Sequence, residues 1–153
     1  MKKGNTPDDK FNEMPFIALI QHITKNKLKY SLKKPDMLHE GNYLIEIYEK
    51  KNLSQDDLAD IFAQSKGTIA KALKKLEDNE YIQRKINQNN RRKYILKTTK
   101  KGEKKAIEIK KDLKEWEMKV GIDKLDEDVK NQIIEIARKS EEILENEEIE
   151  NGK

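Results

Sequence analysis

The 153-residue chain contains no cysteine. Disulfides, thiolate-held metals and thiol redox sensing are therefore excluded. Aromatic residues make up 6% of the chain and the broad apolar set 35%, a thin supply for an ordinary globular core. Leu, Ile, Val and Phe together number 36, about 24% of the chain. That lies above the ~20% level below which a highly charged chain stays disordered. Uncharged apolar runs span only a few residues, so no membrane-spanning helix is expected. Met1 to Lys10 lack an apolar core; no secretory signal is expected, and the cytoplasm is the expected location. His22 and His39 are the only histidines, and neither has a partner at metal-ligand spacing, so no metal is expected. P-loop, dinucleotide-binding and nucleophile-elbow strings are missing. Acid pairs such as Asp56-Asp57 and Glu141-Glu142 fall in charge-rich helical stretches, where solvation accounts for them. The chain is expected not to be an enzyme and to need no cofactor.

What it does have is charge, at 41% of residues. The net charge of +4 conceals a strong asymmetry. Residues 1–63 carry 10 basic and 10 acidic side chains, residues 64–105 carry 14 and 4, and residues 106–153 carry 9 and 15. A middle segment at +10 is the footprint expected of phosphate binding, because lysine and arginine release condensed counterions from nucleic acid. Lysine is abundant throughout, so solvated helix faces are the plain alternative, and the pattern inside the basic segment has to decide.

Residues 1–10 read as a loose polar tail. From Met14 to Leu32, Phe16, Ile17, Ile20, Ile23 and Leu28 recur near helical spacing, with Pro15 in the first turn. After Lys33-Lys34-Pro35-Asp36, a second helix is expected from His39 or Gly41 to Lys50. Ser54 is a good N-cap for a third, with Asp56 and Asp57 in its first turn and Leu58, Ile61 and Phe62 as its buried stripe. Ser65 caps a fourth, whose apolar positions are Ile69, Ala72, Leu73 and Leu76. Its other face shows Lys66, Gly67, Ala70, Lys71, Lys74 and Lys75. From Tyr81 the period changes to two: Tyr81–Ile86 and Lys93–Lys97 read as paired strands around Asn87–Arg91, where asparagine suits turns needing positive φ. Thr99 caps a long helix in which Ala106, Ile109, Leu113, Trp116 and Val120 form a coiled-coil-like seam. Gly121 breaks it, and a last amphipathic helix starts near Glu127.

The expected fold is mainly α with a small β-hairpin wing: a winged helix-turn-helix at 41–99, flanked by an N-terminal helix within 11–40 and C-terminal helices in 100–153, both for dimerisation. A helix fits the major groove and aims side chains at base edges, while a two-stranded wing lies on the backbone or enters the minor groove. Residues Leu53 to Gly102 resemble the multiple-antibiotic-resistance regulator (MarR) family. Leu58-Ala59-Asp60 is similar to its Leu-Ala-acid signature, and Lys66-Gly67-Thr68-Ile69-Ala70-Lys71 stands where it reads x-Ser-Thr-Val-Ser-Arg. Leu76-Glu77 matches its Leu-Glu, Asn90-Arg91-Arg92 its wing Asp-Arg-Arg, and Thr98-Thr99-Lys100-Lys101-Gly102 its Leu-Thr-x-x-Gly. Two departures stand out. Asn90 replaces the wing aspartate that orients the following arginine, and Gly67 replaces a hydroxyl residue.

The resemblance implies a homodimeric transcription regulator, a repressor on a pseudo-palindromic site in double-stranded DNA. It also implies a small aromatic or anionic effector that changes the separation of the two reading heads. Ser65, Lys66, Gly67, Thr68, Lys71, Asn90, Arg91 and Arg92 are the expected DNA-binding residues; His22, His39 and Tyr43 are candidates for effector binding. Other readings are a constitutive architectural or replication factor, and a winged-helix module docking on another protein. Each picked residue also has a plainer reading: Ser65 and Thr68 as helix caps, the lysines as solvated charge, Trp116 as packing.

Overall fold

The computed structural model describes residues 10–31 and 40–150. In chain order it comprises α1 (Phe16–Ser31), α2 (Gly41–Glu49), α3 (Gln55–Ile61), α4 (Lys66–Asp78), β1 (Ile82–Asn87), β2 (Asn90–Thr98), α5 (Lys100–Val120) and α6 (Glu127–Glu150). The chain divides into two compact units, residues 1–116 and 117–153.

The core of the first unit joins α2, α3, α4, the hairpin and the start of α5. Leu44, Leu58, Ile69, Leu73, Leu76 and Leu96 are completely buried in it, each contributing about 1.5–3 kcal/mol by leaving water. The four apolar positions expected of α4, Ile69, Ala72, Leu73 and Leu76, are all buried. Local chemistry starts both α3 and α4. Ser54 and Asp57 form a capping box: the Asp57 N–H donates to Ser54 Oγ at 3.2 Å and the Ser54 N–H to Asp57 Oδ2 at 2.7 Å. The Ser54 N–H, and after it the Ser54 hydroxyl donating to the same Oδ2 at 2.8 Å, hold the Asp57 carboxyl below its ordinary pKa.

Both helices of the head end in Schellman turns with a non-glycine residue in the left-handed region. After α3, Ala63 has φ 48° and the Gln64 N–H donates to the Ala59 carbonyl at 3.0 Å. After α4, Glu80 has φ 60° and the Tyr81 N–H donates to the Leu76 carbonyl at 2.9 Å. Ile61, expected in the buried stripe of α3, is instead 43% exposed. At 100° per residue Leu58, Ala59 and Phe62 share one side of the helix, and Ile61 falls about 105° away from its centre.

The hairpin is antiparallel and extends further than expected, so Arg91 and Arg92 lie within β2 rather than in the turn. Ile86 pairs with Tyr94 but Asn87 pairs with Asn90. Arg91, Arg92 and Lys93 therefore have no opposite residues and form a bulge. The asparagines do not supply positive φ here: among the described residues only Asn52, Ala63, Glu80 and Gly121 adopt it. Asn87 instead shapes the turn by accepting the Asn89 N–H on its Oδ1 at 2.9 Å. At the base of the hairpin, the Leu96 N–H donates to the Leu53 carbonyl at 2.7 Å.

Thr99 begins α5 with two bonds. Its hydroxyl donates to the Glu80 carbonyl at 2.6 Å and accepts the Gly102 N–H at 3.0 Å. Of the expected α5 seam, Ala106 and Ile109 are buried against the chain's own winged-helix core, and Leu113 packs at its margin. That part of the seam is covered within the chain and needs no second copy. Trp116 packs against Tyr30 at 5.0 Å between ring centroids, the rings tilted by 38°. In the second unit Gly121, at φ 83°, ends the long helix and a 3-10 turn leads to α6, on which none of the residues whose burial is described is buried. No helix of the described residues is long and apolar enough to cross a membrane.

Candidate nucleic-acid interface

Helix α4 presents its outer face because its four apolar residues anchor the inner one. Ser65 is its N-cap, accepting the Thr68 N–H at 3.1 Å, with the Ser65 and Thr68 hydroxyls 2.8 Å apart. Both are exposed, so the capping pair also stands on the face open to a ligand. Gly67 lies on this rim, where a Cβ would fit in ordinary contact with Ser65 Oγ at 3.9 Å.

The lysines of α4 differ in what holds them. Lys66 pairs with Asp56 at 2.9 Å; that hydrogen bond, then the Asp56 charge, raise the ammonium above the usual lysine pKa. Lys75 pairs with the buried Glu40 at 2.8 Å, and Lys74 reaches Asp78 only at 3.9 Å. Lys71 is exposed and, among the described residues, makes no ion pair. The wing adds Arg91, exposed in the bulge, and Asn90 at the start of β2. The side chain of Arg92, like the whole of His39, lies outside the described residues.

Sequence reasoning overlooked the side chains between the wing and the helices. Arg84 Nε donates to Glu77 Oε1 at 2.9 Å and its Nη1 to Gln55 Oε1 at 3.3 Å; Gln55 Nε2 donates to the Lys66 carbonyl at 3.4 Å. Beside them a groove of 170 Å³ is lined by Ser54, Gln55, Asp56, Arg84, Lys93, Tyr94 and Leu96. No helical period links residues on three different elements, so only the Leu76-Glu77 string hinted that Glu77 had a task. The effector candidates are not drawn together by their contacts. His22 packs edge-on to Phe11 at 5.2 Å, and Tyr43 edge-on to Phe62 at 4.7 Å. Among the described residues no cluster of His, Cys, Asp or Glu could hold a metal ion.

An exposed basic helix with a basic hairpin beside it suits a duplex, whose groove admits the helix while its phosphates draw the wing. Residues 38–94 match the MarR family. The HTH-type transcriptional regulator BilQ of Clostridioides difficile (strain CD3) is 32% identical over 103 residues, covering 65% of this chain and 70% of that protein. The crystal structure of MarR superposes with a TM-score of 0.69 at 28% identity, covering 88% of this chain and 95% of that one. A MarR family regulator from Listeria monocytogenes, solved with 26mer DNA, shares the fold at TM-score 0.74 and 24% identity over 92% of this chain and 97% of its own. By its fold, its wing and its relatives, the chain belongs to the MarR family and is a winged-helix, DNA-binding transcription regulator.

Proposed function

We propose that the protein is a cytoplasmic homodimeric repressor that holds a pseudo-palindromic operator, with α4 of each copy in a major groove and each wing against the flanking minor groove. The observation that carries this reading is Lys71. On α4, Lys66, Lys74 and Lys75 each face a carboxylate, whereas Lys71 can reach a base edge or phosphate without giving up an internal partner among the described residues. Ser65, Lys66, Gly67 and Thr68 surround that contact, and Asn90, Arg91 and Arg92 supply the wing's.

A second copy is supported by apolar side chains left in water. Phe16, Ile17, Ile20, Ile23 and Leu28 on α1 are exposed, as are Ile133, Ile136, Ile143 and Leu144 on α6. Covering them with the same helices of a partner is the symmetric solution. A small anionic or phenolic effector would then act by changing the separation of the two reading heads, with His22, His39 and Tyr43 as its candidate contacts.

The test is binding across a salt series to a duplex enriched by the protein from a random pool and to a scrambled duplex. Lys71→Ala should flatten the preference for the enriched duplex, since a specific base contact is worth about 1–3 kcal/mol of discrimination. Arg92→Ala should weaken both duplexes and make the salt slope shallower by about one per wing. Weak, indifferent binding to both duplexes would favour a protein-docking module instead. A folded monomer at micromolar concentration would remove the dimer.

A further inference from the structure

The wing is buried at its base and exposed further out. Ile82 and Leu96 are buried, but one step further out the cross-strand pair Ile86 and Tyr94 is more than half exposed. A two-stranded hairpin has little rigidity of its own in water. Between the buried base and the exposed tip stands Arg84, opposite Leu96. Its guanidinium reaches Glu77 in the last turns of α4 directly and the first residue of α4 through Gln55. One side chain thus ties β1 to both ends of the recognition helix and to α3.

We infer that Arg84 is a positioning residue for DNA reading: it sets the angle between the wing and the recognition helix and makes no DNA contact itself. The inference rests on the proposed reading in which α4 and the wing engage one duplex. The Arg84 and Glu77 side chains are each 31% exposed, and an ion pair at such a site adds little to global stability. Its consequence is geometric. Gln88 in the turn is four residues beyond Arg84, about 13 Å at strand rise. A 10° swing at the base, an illustrative angle of roughly half the ordinary twist between strands, would move the turn by about 2 Å. Misplacement of about 1 Å is already enough to degrade a positioned contact. The planar fork of arginine supplies two bonds in fixed directions, which a lysine cannot do.

Opposite signs separate positioning from phosphate contact. If Arg84 only positions, Arg84→Gln and Glu77→Gln should both weaken binding to the enriched duplex by about tenfold, the size of a lost base contact. Binding to the scrambled duplex and the salt slope should stay unchanged, and the double variant should be no worse than either single one. If Arg84 is a phosphate contact, Arg84→Gln weakens both duplexes and makes the slope shallower, while Glu77→Gln strengthens both by removing a nearby negative charge; either result overturns the proposal.

The absence of cysteine allows spin labels at single introduced cysteines on Asp78 and Gln88, with labelled chains diluted into unlabelled ones. The distance distribution should broaden in Arg84→Gln and in Glu77→Gln, and an unchanged distribution in both overturns the proposal whatever the binding shows. A wild-type chain that enriches no duplex at all would overturn the parent reading, and this inference with it.

Discussion

Replacing Gly102 by alanine tests how tightly α5 is docked onto the hairpin. A Cβ at this position would lie 1.9 Å from the Tyr81 carbonyl oxygen and 2.7 Å from its carbonyl carbon. Ordinary C···O contacts begin near 3.3 Å, so the backbone of Tyr81 or the first turn of α5 must move by more than an ångström. The same short stretch carries the Thr99 N–H bond to the Tyr81 carbonyl at 3.0 Å and the Thr99 cap on Gly102. Overpacking costs about 1–3 kcal/mol and a lost cap about 1 kcal/mol. The intrinsic helix preference of alanine over glycine returns about 1 kcal/mol. The expected net loss is therefore about 1–3 kcal/mol.

Urea denaturation at fixed protein concentration, followed by circular dichroism, measures it as a lower midpoint at unchanged slope. Gly67→Ala is the matched control, also in the first turn of a helix but with the new Cβ in ordinary contact, 3.9 Å from Ser65 Oγ. It should stabilise the protein by up to about 1 kcal/mol. If Gly102→Ala and Gly67→Ala shift the midpoint in the same direction and by similar amounts, the close approach to Tyr81 is wrong.

Ala63→Gly should raise stability by about 0.5–1 kcal/mol, because relief of the left-handed strain exceeds the added entropy of glycine; a lower midpoint would refute it. Asp57 titrates below its ordinary value of 3.8 when folded, so the stability it adds is present above that value and is lost as pH falls through the folded one. Asp57→Asn should accordingly remove part of the acid sensitivity below about pH 4, seen as a flatter plot of urea midpoint against pH. Asp56→Asn frees Lys66 and, on the proposed docking of α4, removes a negative charge beside the duplex, so it should tighten binding to enriched and scrambled duplexes alike with a steeper salt dependence. Unchanged affinity would mean that Lys66 lies off the DNA.

The start of each reading-head helix was legible because its cause is local. Ser54 with Asp57, Ser65 with Thr68, and Thr99 with Gly102 each act within three residues. The buried face of α4 was legible too, since a helix against a core repeats its apolar positions at 3.6 residues. The basic segment pointed to nucleic acid without any coordinates, because net charge needs no fold to be counted. Other features depend on how the elements meet. Ile61 has the spacing of a core residue, and only the rotation at which α3 lies on the core turns it outward. Ala106 and Ile109 have the period of an interchain seam, but proximity of α5 to α2 covers them within the chain, as the approach of Ile109 to Gly41 at 3.2 Å of a would-be Cβ illustrates. Arg91 and Arg92 looked like turn residues until strand register placed them in a bulge. Capping and periodicity arise from neighbours along the chain and so are written in its order; close approach, register and the Arg84 bridge arise between segments, and their positions exist only once the segments have packed.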